Sequence, residues 1–208
     1  MRLRITFSKT GSLRYAGHLD LHTVWERTVR RAGLPLAYTQ GFHPGPRIQI
    51  ACALPLGFAG RSELVDIWLD SPEPDPQTAA LLQAAAPPGL GIINVAVVDE
   101  HSPALQTRVA SAEYQVTLLD PLDIPALTGH ITSLLESPSL PRQRRGKDYD
   151  LRPLIEEAYL LPDGIHPTLF MRLAARQAAT GRPEELLDAL GIPFETTHIE
   201  RTRLVLME

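Results

Sequence analysis

The stretch Arg2-Leu3-Arg4-Ile5-Thr6-Phe7 alternates polar with apolar residues, whereas His18-Leu19-Asp20-Leu21-His22-Thr23-Val24-Trp25-Glu26-Arg27-Thr28-Val29-Arg30-Arg31-Ala32 does not. Alternation with period two belongs to a strand with one buried face. In the second segment, at about 100° per residue, Leu21, Val24, Trp25, Thr28 and Ala32 share one face of a helix. Arg27, Arg30 and Arg31 gather on the other, and Gly33 and Pro35 close the helix. A strand followed by an amphipathic helix therefore opens the chain.

Beyond it, a turn-rich run, Gly41-Phe42-His43-Pro44-Gly45-Pro46, leads into Arg47-Ile48-Gln49-Ile50-Ala51-Cys52, which alternates again. Glu63 to Asp70 is a further strand, with Val65, Ile67 and Leu69 on one side and Asp66, Trp68 and Asp70 on the other. Asp75-Pro76 marks a helix start, Ala79 to Ala86 continues it, Pro87-Pro88 stops it, and Leu90 to Val98 completes the set as a strand. The order β, α, β, β, α, β is that of a ferredoxin-like split βαβ unit over residues 1–100. Asp99 to Pro103 reads as a linker.

A second, less regular unit is expected over residues 110–208. Tyr114, Val116 and Leu118 alternate, residues 124–136 are helical with Pro125 in the first turn, and 140–161 hold a basic loop and a short strand. Thr168 to Ala174 is a strand, Pro183 to Leu190 a helix ended by Gly191, and His198 to Met207 a last strand. The expected class is α+β, with tandem ferredoxin-like units; one enlarged α+β domain is the competing arrangement.

At 208 residues, 44% apolar and 21% charged, the composition is that of an ordinary globular chain. The most apolar run, residues 89–98, is interrupted by Asn94 and too short to cross about 30 Å of hydrocarbon. The opening residues read as a strand rather than a signal peptide, so a cytoplasmic chain with no membrane association is expected. Cys52 is the sole cysteine, which excludes an internal disulfide, a Cys-x-x-Cys pair, a cysteine zinc cage and a self-contained iron-sulfur cluster.

A formal charge of -4 conceals an asymmetry. Residues 1–50 hold eight basic side chains against Asp20 and Glu26; residues 51–100 hold Arg61 alone against seven acidic ones. Arg27, Arg30 and Arg31, joined by Arg47 from the following loop, form a multidentate surface suited to phosphates. Arg142-Gln143-Arg144-Arg145-Gly146-Lys147 is a second basic cluster, with Tyr149 beside it as a possible stacking face. Both also fit ordinary solvated charge. Trp68 has two readings, base stacking or packing against the second unit.

Enzymatic chemistry has thinner support. Phe7-Ser8-Lys9-Thr10-Gly11 lacks the spacing of a phosphate loop, and Gly89-Leu90-Gly91 is no dinucleotide fingerprint. His18 and His22 have the spacing to share a metal, with Asp20 or His43 as a third ligand, but no H-E-x-x-H is present and no metal site is expected. His18 and His43 are candidates for a general acid and base, should they meet.

Phe7-Ser8-Lys9-Thr10-Gly11-Ser12-Leu13-Arg14, His18-Leu19-Asp20-Leu21, Glu26-Arg27, Arg30 to Pro35, Gly41-Phe42-His43-Pro44 and Ala53-Leu54-Pro55-Leu56-Gly57 together resemble the radical-SAM-linked protein family, a family of unknown function. Asp150 to Ile155 and Arg201-Thr202 resemble its second-half motifs. The resemblance covers nearly the whole chain. Its motif residues fall on Lys9, Gly11, His18, Asp20, Arg27, Arg30, Arg31, Gly41, Phe42, Pro44, Pro55, Gly57 and Asp150; Gly17 and Gly45 depart from its usual serine and histidine. It implies an accessory role beside a radical-SAM protein in an RNA-linked process, the iron-sulfur cluster and SAM residing on that partner.

The expectation is thus a non-catalytic accessory protein binding RNA through Lys9, Arg27, Arg30, Arg31, Arg47, Arg142, Arg144, Arg145 and Lys147. The alternatives are a metal-independent ribonuclease or small-molecule transferase using His18 and His43, and a protein-interaction module. The tandem arrangement also resembles CRISPR repeat-processing endoribonucleases, an analogy of fold that carries no activity.

Overall fold

The computed structural model describes residues 1–71, 75–144, 146–162 and 166–207. The chain is α+β and divides into two compact units, Met1–Val109 and Ala110–Glu208.

In the first unit the elements are β1 (Arg2–Lys9), α1 (His18–Arg31), β2 (Ile48–Ile50), β3 (Ala59–Trp68), α2 (Thr78–Ala85) and β4 (Leu90–Val98). β1 pairs antiparallel with both β3 and β4, and β2 with β3, so the strand order is β4-β1-β3-β2. The alternation of β1 sets which face is buried: Leu3, Ile5 and Phe7 are fully enclosed with Val65 and Ile67 of β3. α1 adds Leu21, Trp25 and Val29 to this core and α2 adds Leu82. Trp25 meets Phe7 edge-on, with ring centroids 5.0 Å apart, a favoured aromatic geometry.

Alternation sends Arg2, Arg4, Asp66 and Trp68 to the opposite face. There Asp66, fully buried, accepts from Arg2 Nε (2.9 Å) and Nη2 (2.6 Å) and from Arg4 Nε (2.9 Å) and Nη2 (3.0 Å). Residues 99–108 cover the cluster. Arg2 donates to the carbonyls of Ser102 and Pro103, and the Leu105 N–H donates to Gln49 Oε1. The segment expected as a linker is therefore part of the first unit, because two guanidiniums need those carbonyls once buried. Trp68 is buried, with the Arg2 guanidinium 4.8 Å from its ring centroid, which removes the base-stacking reading of that ring. The start of α2 also differs: Asp75 accepts from the Gln77 N–H in a turn ahead of the helix, which begins at Thr78.

The second unit comprises β5 (Val109–Leu118), α3 (Ile124–Glu136), β6 (Pro141–Arg144), β7 (Lys147–Asp150), β8 (Ile155–Leu160), β9 (Thr168–Arg176), β10 (Ala179–Thr180), α4 (Pro183–Ala189) and β11 (Thr197–Leu206). β9 pairs antiparallel with β5 on one edge and with β8 and the short β10 on the other, and β11 lies beside β5. Leaving β10 aside, the four main strands run β11-β5-β9-β8. α3 is capped by the Asp123 carboxylate on the Ala126 N–H and buries Leu127, Ile131 and Leu134. Where a basic loop was expected over 142–147, residues 141–144 and 147–150 pair as the antiparallel hairpin β6-β7, with Gly146 between them at φ +74°, a conformation that favours glycine. Among the described residues no helix is long and apolar enough to cross a membrane.

Candidate nucleic-acid interface

α1 starts with the Gly17 N–H donating to Asp20 Oδ2 at 3.2 Å, half of a capping box, since glycine has no side chain to return the bond. With Leu21, Trp25 and Val29 committed to the core, the helical period leaves Arg27, Arg30 and Arg31 exposed on the outer face. Arg30 reaches Glu26 at 3.4 Å, a long and solvated contact worth a few tenths of a kcal/mol. Arg27 and Arg31 have no ion pair among the described residues. Arg30 and Arg31 also occupy the last turn, where positive charge complements the helix dipole.

Two of the expected partners do not join them. Lys9 is 1% exposed, and its Nζ donates to the carbonyls of Ala16 (2.8 Å) and Arg14 (3.3 Å). These bonds pin the 3-10 turn Gly11–Tyr15, and burial keeps the ammonium from any ligand outside. Arg47 lies across the sheet from α1. Ile48 and Ile50 point into the core opposite Ile67 and Val65, so alternation turns Arg47 away, with its guanidinium 4.7 Å from the Trp68 ring centroid.

The loop before Arg47 is firmly held. Thr39 N–H donates to Gly45 O (2.8 Å), Gly45 N–H to Thr39 Oγ1 (3.0 Å) and Arg47 N–H to Ala37 O (2.8 Å). Gly41, at φ +135°, turns the tip, where Phe42 is fully exposed and His43 and Pro44 also face water.

His18 and His43 do not meet. His18 starts α1 at the Lys9 end of β1, while the loop carrying His43 hangs from Trp68, which faces Arg2 at the other end. The eight residues of β1 separate them by roughly 23 Å. An acid-base pair is thus not assembled, and the described residues gather no group of three or more His, Cys, Asp or Glu side chains.

In the hairpin, Arg142 and Arg144 are occupied. Arg144 binds Glu185 through Nε (2.8 Å) and Nη2 (2.6 Å), Arg142 binds Asp188 (2.9 Å), and the Tyr149 hydroxyl donates to Glu185. The Arg144 guanidinium lies 5.0 Å from the Tyr149 ring centroid, over the stacking face expected to be free. Burial, with the Glu185 carboxylate, pushes the Tyr149 phenol up to about 12. Burial would raise the Glu185 carboxyl, but its Arg144 and Tyr149 hydrogen bonds outweigh that and hold it below the usual range. Lys147 remains exposed, and Arg145 lies outside the described residues. The acidic side of this arrangement was readable: Glu185 and Asp188 stand three apart, on one face of a short helix.

The remaining motif positions are architectural. Asp150 Oδ1 accepts from the Leu140 (2.7 Å) and Arg152 (2.9 Å) amides, which hold its carboxyl low and fasten the base of the hairpin. Gly11 opens the 3-10 turn, and Pro55 and Gly57 belong to the turn whose Gly57 amide bonds Arg14 O. Sequence reading missed the Asp66 cluster and a network on β5, β8, β9 and β11. In that network Arg203 and Arg172 hold the Glu113 carboxyl low, and Arg172 also binds Glu157.

Residues 2–183 match the family described as "Uncharacterized protein conserved in bacteria (DUF2344)". No curated protein matches the chain. Among solved structures it is similar to a chain of a Cbf5-Nop10-Gar1 complex, with a TM-score of 0.52 and 11% identity over 97% of this chain and 48% of that one. It is also similar to a chain of an archaeal box H/ACA sRNP Nop10-Cbf5 complex, with a TM-score of 0.48 and 12% identity over 97% of this chain and 47% of that one. The chain spans about half the length of these chains, and at 11% identity the first likeness is one of fold alone.

Proposed function

The chain belongs to the DUF2344 family, and we propose that it is a non-catalytic binding protein of the cytoplasm that holds RNA on the outer face of α1. The observation that carries this reading is the exposure of Arg27, Arg30 and Arg31 together, with Glu26 as the one carboxylate bonded to any of them among the described residues. Three guanidiniums on one helix face are suited to successive phosphates. Arg142 and Arg144 are excluded from this surface by Asp188 and Glu185, and Lys9 by burial.

A tandem ferredoxin-like architecture belongs with the proposal. In each unit, numbering the four main strands in chain order, the sheet runs 4-1-3-2, which supports it. Sheets of this kind are used elsewhere to present single-stranded RNA. The likeness to CRISPR repeat-processing endoribonucleases is of fold only.

Association with a radical-SAM enzyme, which would supply the cluster and SAM, rests on the sequence resemblance. A protein contact has one structural observation in its favour: Tyr15, Leu19 and Leu56 are 61%, 81% and 62% exposed around the start of α1. Anaerobic co-expression with a radical-SAM enzyme should yield a complex that survives ribonuclease and is lost in Leu19→Asp.

RNA binding is tested by anisotropy of labelled small RNA across a salt series. Tight binding at low salt is expected, and changing Arg27, Arg30 and Arg31 to Glu should flatten the log-affinity against log-salt slope by about two units or more. No binding by the unaltered protein at low salt would end this reading.

A further inference from the structure

At the base of the exposed loop, Thr39, Pro46, Arg47, Ile48, Gln49 and Trp68 line a recess of about 170 Å³. Small-molecule sites begin near roughly 300 Å³, so this one fits a single group of a larger ligand. Trp68 in its wall is 6% exposed, and its Nε1–H is buried with no hydrogen-bond partner among the described residues. A buried donor left unpaired is unfavourable, and an acceptor oxygen of a ligand would satisfy it. Arg47, over the same ring, offers a charged donor beside it.

The charge around the loop is one-sided. From Arg27 to Gly60 the chain carries Arg27, Arg30, Arg31 and Arg47 and no carboxylate. At this end of the sheet Asp66 is held by Arg2 and Arg4, and Glu100 by the terminal ammonium. Among the described residues, Asp70 and Asp99 are the exposed carboxylates left there. The last turn of α1 reaches the same end, since Leu34 N–H bonds Val29 O and Asp70 N–H bonds Pro35 O. Residues 32–46, which join the α1 arginines to Arg47, hold no carboxylate to repel a polyanion that engages both.

Phe42 is fully exposed at the tip of a loop whose ends are tied by three backbone donors. An aromatic face held in place this way binds a planar group with little ordering cost. We propose that the loop and its recess hold one unpaired nucleotide of the bound RNA. Phe42 stacks on a base, while Arg47 and the Trp68 indole N–H take an oxygen of the phosphate or of a neighbouring base. The inference rests on the RNA reading and deepens it: the ligand is single-stranded, or has a base turned out of a helix.

The test is anisotropy of a short labelled oligouridylate, as a single strand and in a duplex, against the unaltered protein, Phe42→Ala, Phe42→Trp and the α1 arginine variant. Phe42→Ala removes a side chain that nothing in the fold leans on. It should weaken single-strand binding by about 10- to 100-fold with the salt slope unchanged, and Phe42→Trp should restore it. The duplex should bind more weakly than the single strand. Binding that needs the α1 arginines yet stays within about twofold in Phe42→Ala, or that favours the duplex, overturns the loop site and leaves the RNA reading standing. Absence of all RNA binding by the unaltered protein overturns that reading, and this inference with it.

Discussion

The outer face of α1 and the β6-β7 hairpin look alike as sequence, each a short run with several arginines, and differ as surfaces. On α1, among the described residues, the one carboxylate bonded to the arginines is Glu26, on the same helix and at a long 3.4 Å. On the hairpin, Glu185 and Asp188 arrive from α4, some forty residues later, and take Arg144 and Arg142 at 2.6 Å and 2.9 Å. The availability of a charge is decided by what tertiary structure brings to it.

The Asp66 cluster extends this contrast to full burial. Asp66→Asn leaves Arg2, at 1% side-chain exposure, and Arg4, at 14%, without their counter-charge. A loss of about 3–5 kcal/mol is expected, read as a lower urea midpoint. A loss under about 1 kcal/mol would break the grading of pair strength by burial.

Glu185→Gln, partly buried, should cost about 2 kcal/mol and bring the Tyr149 titration down from about 12, since the carboxylate that opposes the phenolate is gone. The phenol is raised in the folded state. Its contribution to stability is therefore complete below the ordinary tyrosine range and is lost as pH rises through about 12. Absorbance titration of the phenolate, with Tyr149→Phe as control, measures it. The Glu185 carboxyl has the opposite sign: held low, it stabilises at neutral pH and loses that effect as acid protonates it.

Glu26→Gln should change stability by less than about 0.5 kcal/mol. By releasing Arg30 it should tighten RNA binding slightly, whereas Asp188→Asn, which frees Arg142 alone while Arg144 stays on Glu185, should not create RNA affinity on its own. Equal gains from both would erase the distinction between the two surfaces.

Much of the first unit was legible because its signals are local. Leu3, Ile5 and Phe7 announce their buried face by alternation, and Leu21 and Trp25 theirs by helical spacing. The hairpin was not, since its two four-residue strands are polar on both faces and offer no period to read. The side taken by Arg47 depends on the register of the three-residue β2, set by β3 rather than by its own sequence. Lys9 misled for a related reason: the carbonyls that bury it belong to a turn whose shape no spacing rule foretells. At the candidate site the helix face was readable, but Phe42 stood only as a motif position, and the recess beneath it needs Trp68 from another strand.

Residues 99–108 also make Trp68 a reporter. A chain cut after Val98 would lose the Ser102 and Pro103 carbonyls that receive Arg2 and so hold its guanidinium 4.8 Å from the Trp68 ring centroid. Water would then reach one of the molecule's two tryptophans while Trp25 stayed dry in the core. The emission of the shortened protein should move to the red, so a fluorimeter can tell whether a fragment of the first unit has been cut in the right place.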